Sequence, residues 1–181
     1  MGVRYARFED IKDIVKVQID GWKTAYKGIV AEDYLNSLSY VTRQKKVEDS
    51  WKDGTFAVYE SSTNEILGFS GFGERQNLEL EGQDEYDCEL GSIYVRPDCK
   101  GKGIGKDIFN FVSRELHNRG KTKMILWVLE DNLQSIEFYK KMGGEMVSKK
   151  EQEIGNETYS EISFGYDLSM IYINDKKHFS K

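Results

Sequence analysis

The chain has 181 residues and a mass of 21.0 kDa, the size of one domain on the usual scale of roughly 100–200 residues and too small for a second enzyme-sized unit. With 39% hydrophobic residues, 31% charged residues and a single proline, it falls outside the disordered and fibrous classes. A net charge of −5 and a pI near 5.2 exclude a uniformly basic nucleic-acid-binding face and suit a small cationic partner. Two cysteines, Cys88 and Cys99, are too few for a disulfide framework, and neither they nor His117 and His178 have zinc-ligand spacing, so no metal is expected. Charges interrupt residues 1–20, and no uncharged run is long enough to span a bilayer. A cytoplasmic protein with no membrane partner is therefore expected.

In chain order, residues 3–8 alternate like a strand, and Ile11, Ile14, Val15, Ile19 and Trp22 follow at helical spacing. A second helical zone runs over residues 31–53 with Tyr34, Leu35, Leu38, Val47 and Trp51, ending at Asp53-Gly54. Thr55–Glu60 and Ile66–Glu74 read as a hairpin, and Tyr86–Val95 as a further strand closed by Arg96-Pro97. The clearest helix follows Gly103, with Ile104, Ile108, Val112 and Leu116 on one stripe, widened by Phe109. Met124–Leu129 is a short strand, and Asp131 or Asn132 can cap a helix through Leu133, Ile136, Tyr139 and Met142 that stops at Gly143-Gly144. Strand, helix, strand, helix implies a parallel crossover pair. Residues 145–153 and 158–168 read as a closing hairpin. One domain over 1–168 and a polar tail over 169–181 are expected.

The densest chemistry lies at Arg96-Pro-Asp-Cys-Lys-Gly-Lys-Gly-Ile-Gly-Lys106, between a strand and the best helix. Alternating glycines let backbone N–H groups converge, the helix dipole adds positive potential, and Lys100, Lys102 and Lys106 add charge, which makes an anion nest. The segment is neither a dinucleotide fingerprint, since Lys106 stands where the third glycine belongs, nor a P-loop, since Asp107 follows Lys106.

These residues resemble the GCN5-related N-acetyltransferase (GNAT) family, whose acetyl-CoA signature is Gln/Arg-x-x-Gly-x-Gly/Ala. Lys100-Gly101-Lys102-Gly103-Ile104-Gly105 fits it with Lys100 in place of Gln or Arg, which keeps a cationic donor but loses the planar fork. Ile93-Tyr94-Val95-Arg96-Pro97 and Asn132-Leu133-Gln134-Ser135-Ile136-Glu137-Phe138-Tyr139 look like the family's fourth strand and the helix after its fifth. The resemblance implies an α/β (α+β) single-domain fold with a central, mixed, mostly antiparallel sheet, a splayed parallel pair at strands four and five, and flanking helices. It also implies acetyl-CoA as cofactor, with the pyrophosphate on the amides of Lys100–Lys106 and the pantetheine arm along Ile93, Tyr94 and Val95, as an added strand would lie. Asn132 and Ser135 would face that arm, Asn132 also as a helix cap.

Direct acetyl transfer needs a base for the acceptor ammonium, an oxyanion donor and an acid for the thiolate. Glu89 occupies the position where the protein-lysine branch of the family carries its glutamate base, but it is also one of six carboxylates in residues 79–89. Tyr139 matches the family's tyrosine acid, and a backbone N–H near Val95 would meet the oxyanion. Cys99 lacks a partner histidine and is read as incidental, Cys88 as strand packing. Trp22, Tyr26 and Tyr34 fall in the zone that covers the acceptor pocket in the family, although Trp22 also completes a core stripe. A small cationic amine, a polyamine or an aminoglycoside, is the expected acceptor. A protein N-terminus or lysine, and an acyl-CoA sensor without turnover, remain open at this level. Dimers are common among such folds, and no residue here singles out a homodimer.

Overall fold

A computed structural model describes residues 1–51, 55–75 and 85–170. Glu79, Glu81 and Asp84 of the acidic stretch, and the tail beyond residue 170, lie outside them. The strands are β1 (Gly2–Tyr5), β2 (Thr55–Glu60), β3 (Ile66–Glu74), β4 (Cys88–Val95), β5 (Lys123–Leu129), β6 (Glu145–Ile154) and β7 (Glu157–Asp167), and the helices are α1 (Ile11–Ala25), α2 (Glu32–Ser37), α3 (Tyr40–Ser50), α4 (Ile104–Asn118) and α5 (Leu133–Lys141). They form one seven-stranded sheet in the order β1-β2-β3-β4-β5-β7-β6. Every neighbouring pair is antiparallel except β4–β5, the parallel pair.

The helices divide between the two faces according to their apolar stripes. On α4, Ile104, Ile108, Phe109, Val112 and Leu116 are all at most 4% exposed and pack with Leu90, Met124, Leu126 and α5; burying each such side chain contributes roughly 1.5–3 kcal/mol. The α1 stripe of Ile11, Ile14, Val15 and Ile19 is buried on the opposite face, against the sheet and α3. The zone expected as one helix over 31–53 is two, because Leu38 is extended and Ser39 caps a new start by accepting from the Thr42 N–H. The strand expected from Tyr86 begins at Cys88. The Asp87 carboxylate instead accepts from the backbone N–H groups of Thr122 at 2.9 Å and Lys123 at 3.1 Å, tying the entrance of β4 to that of β5. Partial burial works to raise the Asp87 carboxyl, but these donors outweigh it and hold it below the ordinary range.

Two irregularities aim β4 at the site. Its register with β3 passes from Ser92 opposite Gly71 to Leu90 opposite Phe72, so Gly91 is a bulge. Cys88 and Leu90 before the bulge, and Ile93 and Val95 after it, face α4, while Tyr94 faces α1 with Ile14 and Val17. In addition, β4 and β5 share only two ladder pairs, Cys88 with Met124 and Glu89 with Ile125, and then part.

Gly68 on β3 allows α4 to lie close to the sheet. A Cβ there would stand 2.9 Å from the Tyr94 carbonyl oxygen and 3.0 Å from Ile108 Cδ1. Gly68→Ala is expected to cost roughly 1–3 kcal/mol in urea unfolding, because backbone cannot give way as a flexible side chain can. Gly73→Ala on the same strand, whose Cβ would meet nothing within 4 Å, should stay within about 0.5 kcal/mol.

Candidate active site

The parting of β4 from β5 opens a cavity of about 870 Å³ that draws its walls from both faces of the sheet. One end is the glycine turn. Gly101 and Gly103 hold left-handed φ values of 76° and 84°, a conformation that costs other L-residues roughly 1–2 kcal/mol. Gly103 is also the N-cap of α4, so the first-turn N–H groups of Ile104, Gly105 and Lys106 have no intrahelical acceptor and remain free to meet an anion. Lys100 and Lys106 stand at the same end, with Lys100 Nζ donating to Gln134 Oε1 at 3.4 Å.

The middle of the cavity is bounded by β4 and α5. The β4 backbone from Gly91 to Val95 has no strand partner on its β5 side and lines the cavity. Asn132 caps α5 by accepting from the Ser135 N–H at 3.2 Å, and both residues line the wall. Tyr139, 7% exposed on α5, lines it from below. Burial, and then the neighbouring Tyr26 phenol, push the Tyr139 hydroxyl well above its ordinary pKa. Tyr94 is raised for the same two reasons. Tyr26 is also raised by burial, although contacts with the Tyr94 and Asn132 side chains partly offset this. All three phenols therefore keep their protons at neutral pH.

The opposite end is aromatic and mixed in charge. Trp22 packs against Tyr26 with ring centroids 4.6 Å apart, and both line the cavity with Trp127, Glu161, Gln18 and Arg43. Arg43 Nε donates to Gln18 Oε1 at 2.6 Å. Burial raises the Glu161 carboxyl, with the Lys150 ammonium acting against it.

The cavity thus gathers Ile93, Tyr94, Val95, Lys100, Gly101, Gly103, Ile104, Gly105, Lys106, Asn132, Ser135, Tyr139, Trp22 and Tyr26. Three expected site residues are not on its wall. Lys102 is exposed between the two left-handed glycines. Tyr34 lines a separate pocket of about 40 Å³ and packs on Gly155 in the β6–β7 turn. Glu89 is half-buried at the closed end of the β4–β5 pair, on the α1 side of the sheet that it shares with Tyr94. Sequence reasoning missed Gln18, Arg43, Trp127 and Glu161. Trp127 and Glu161 were legible only as alternate positions in strands, with nothing to mark which face would open. Among the described residues, no group of three His, Cys, Asp or Glu could hold a metal, and no helix is long and apolar enough to cross a membrane.

The family model for the acetyltransferase (GNAT) family matches residues 22–144, which span the glycine turn, the parted strands and α5. The chain belongs to the GNAT family. It is an N-acetyltransferase that depends on acetyl-CoA. YuaI of Bacillus subtilis, an uncharacterized N-acetyltransferase, is 38% identical over 174 residues, covering 93% of this chain and 95% of its own. The spermidine N(1)-acetyltransferase of Thermoplasma acidophilum is 25% identical, over 78% of this chain and 86% of its own. Among solved structures, the PaiA N-acetyltransferase of Thermoplasma acidophilum, in complex with coenzyme A, shares the fold with a TM-score of 0.65 at 21% identity, covering 89% of this chain and 98% of its own.

Both cysteines are free and buried. Burial, followed by the adjacent Asp87 carboxylate, pushes the Cys88 thiol up to about 12, so at pH 8 its thiolate fraction is on the order of 10⁻⁴. In a Cys99→Ser variant, which isolates Cys88, a disulfide reagent such as DTNB should find no fast thiol at pH 8 and one full equivalent after unfolding in guanidinium.

Proposed function

We propose that the enzyme transfers the acetyl group of acetyl-CoA directly to a primary amine of a small cationic acceptor, with a polyamine as the leading class. The observation that carries this reading is the parting of β4 from β5 around a cavity with an anion nest at one end and an aromatic wall at the other. The amides of residues 104–106, together with Lys100 and Lys106, hold the cofactor's pyrophosphate, and the unpaired edge of Ile93–Val95 pairs with its pantetheine arm. When bound, the cofactor supplies an activated acyl group as a thioester.

The protein's own groups then handle protons and charge. Glu89, acting through water because it stands at the closed end of the strand pair, takes the proton that makes the acceptor amine nucleophilic. A β4 backbone N–H near Val95 stabilises the developing oxyanion. The Tyr139 hydroxyl, which burial keeps protonated, delivers its proton to the leaving sulfur. Trp22 and Tyr26 hold the acceptor's alkyl and ammonium groups by packing and cation–π contact.

Support for a cationic acceptor comes from the Glu161 carboxylate on the cavity wall and from the spermidine acetyltransferase among the relatives.

Coenzyme A thiol release with a panel of amines tests the assignment. Tyr139→Phe should lower kcat about 100-fold while coenzyme A binding persists; an unchanged kcat would remove Tyr139 from the chemistry. By calorimetry, Gly103→Ala should weaken coenzyme A binding about tenfold or more, in line with its backbone strain, whereas Gly120→Ala, at a left-handed φ of 81° beyond the other end of α4, should leave it unaltered. Polyamine turnover should fall with salt. Equal rates for neutral amines or peptides, without salt dependence, would overturn the choice of acceptor.

A further inference from the structure

A carboxylate on β7 and an indole on β5 meet at the acceptor end of the cavity, and a lysine ammonium of the protein is already seated on them. Glu161 is opposite Leu129 on β5 and opposite Lys150 on β6, while Trp127 lies two residues before Leu129 and so on the same face. Glu161 and Trp127 both line the large cavity. Lys150 Nζ is 3.5 Å from Glu161 Oε2, with the two side chains only 20% and 17% exposed, and 4.0 Å from the centroid of the Trp127 ring. A carboxylate on one side and the negative face of an indole on the other is the surrounding an alkylammonium ion prefers. Lys150 itself is an alkylammonium on a four-carbon stem, so its position reports what the site binds.

We propose that Glu161 and Trp127 form a second ammonium site, filled by Lys150 in the free enzyme and taken over by the distal ammonium of an acceptor that carries two amines. This deepens the proposed function and rests on it. Glu89 is opposite Ile125, four residues before Leu129 on the same strand and face, so Glu89 and Glu161, on the two strands flanking β5, are offset by ~13 Å along it at 3.3 Å per residue. With Glu89 serving the reacting amine, Glu161 serves the other end. The site therefore selects an extended diamine or polyamine over a monoamine of equal length, and Lys150 sets the threshold by competing for the same place. Lys150 is on the edge strand β6, where its flexible stem can leave without disturbing a ladder.

The test compares 1,8-diaminooctane and spermidine with n-octylamine in the coenzyme A thiol assay, and reads the ratio of kcat/KM for diamine over monoamine. Glu161→Gln should lower that ratio about tenfold, mainly through the KM of the diamine, with Trp127→Leu acting in the same direction. Lys150→Met should raise the ratio several-fold by removing the internal competitor. Thermal unfolding and coenzyme A binding of each variant separate these effects from misfolding. A ratio unmoved by Glu161→Gln, or lowered by Lys150→Met, would overturn the proposal. So would a fall in kcat for both amines alike, which would place Glu161 at the reacting nitrogen instead. If the unaltered enzyme acetylates both amines without preference, the second site fails and the proposed function stands. If it releases no thiol with any amine, the underlying function fails.

Discussion

The constraint on which the site depends is that two neighbouring parallel strands stop pairing partway along. Buried backbone N–H and C=O groups must find partners, yet from Gly91 to Val95 one edge of β4 has no strand beside it. A sheet interior does not tolerate such an edge unless something else satisfies it, whether water or an extended ligand. The rest of the fold keeps the gap open. The closed end is pinned by the two ladder pairs and by Asp87 on the Thr122 and Lys123 amides, and the open end is buttressed by α4 through Ile104 and by α1 through Tyr94. Antiparallel pairing of β5 with β7 over its whole length keeps β5 from drifting towards β4.

The gap also sets the electrostatics. It joins the two faces of the sheet, so Tyr26 from the α1 side comes near enough to Tyr139 from the α5 side to raise it further. Burial dominates all three phenols and favours the neutral form. A phenol held in this state gives up its proton only to a strong base. Glu161 is subject to the same burial, but Lys150 opposes it, so the protein supplies a countercharge for an anion that would otherwise be costly to leave alone.

Much of this was legible in the residues. The α4 stripe, the hairpin at Thr55–Glu60 and Ile66–Glu74, and the glycine turn before α4 all carry local signals, periodicity and positive-φ glycines, that tertiary context reinforces. The glycine-turn end of the cavity was therefore readable almost residue by residue. The aromatic end was not. Glu161 and Trp127 are alternate positions on strands, and only the seven-strand order places them beside the gap. The bulge at Gly91 was equally hidden. Regular alternation would put Glu89, Ile93 and Val95 on one face, but the extra residue puts Glu89 with Tyr94 on the α1 side. Tyr34, expected beside Trp22 and Tyr26 from its place in the first helical zone, lies on a separate small pocket and against Gly155 of the β6–β7 turn.

The same division explains why net charge is a poor guide to either ligand. The total of −5 averages a glycine turn with Lys100 and Lys106 at one end of the cavity against Glu161 at the other, with Arg43 and Lys150 close by. Both signs of charge therefore line one continuous space. The β5–β7 and β6–β7 ladders, rather than a loop, hold Trp127, Glu161 and Lys150 together, so the mixed charge at that end is a property of the sheet itself.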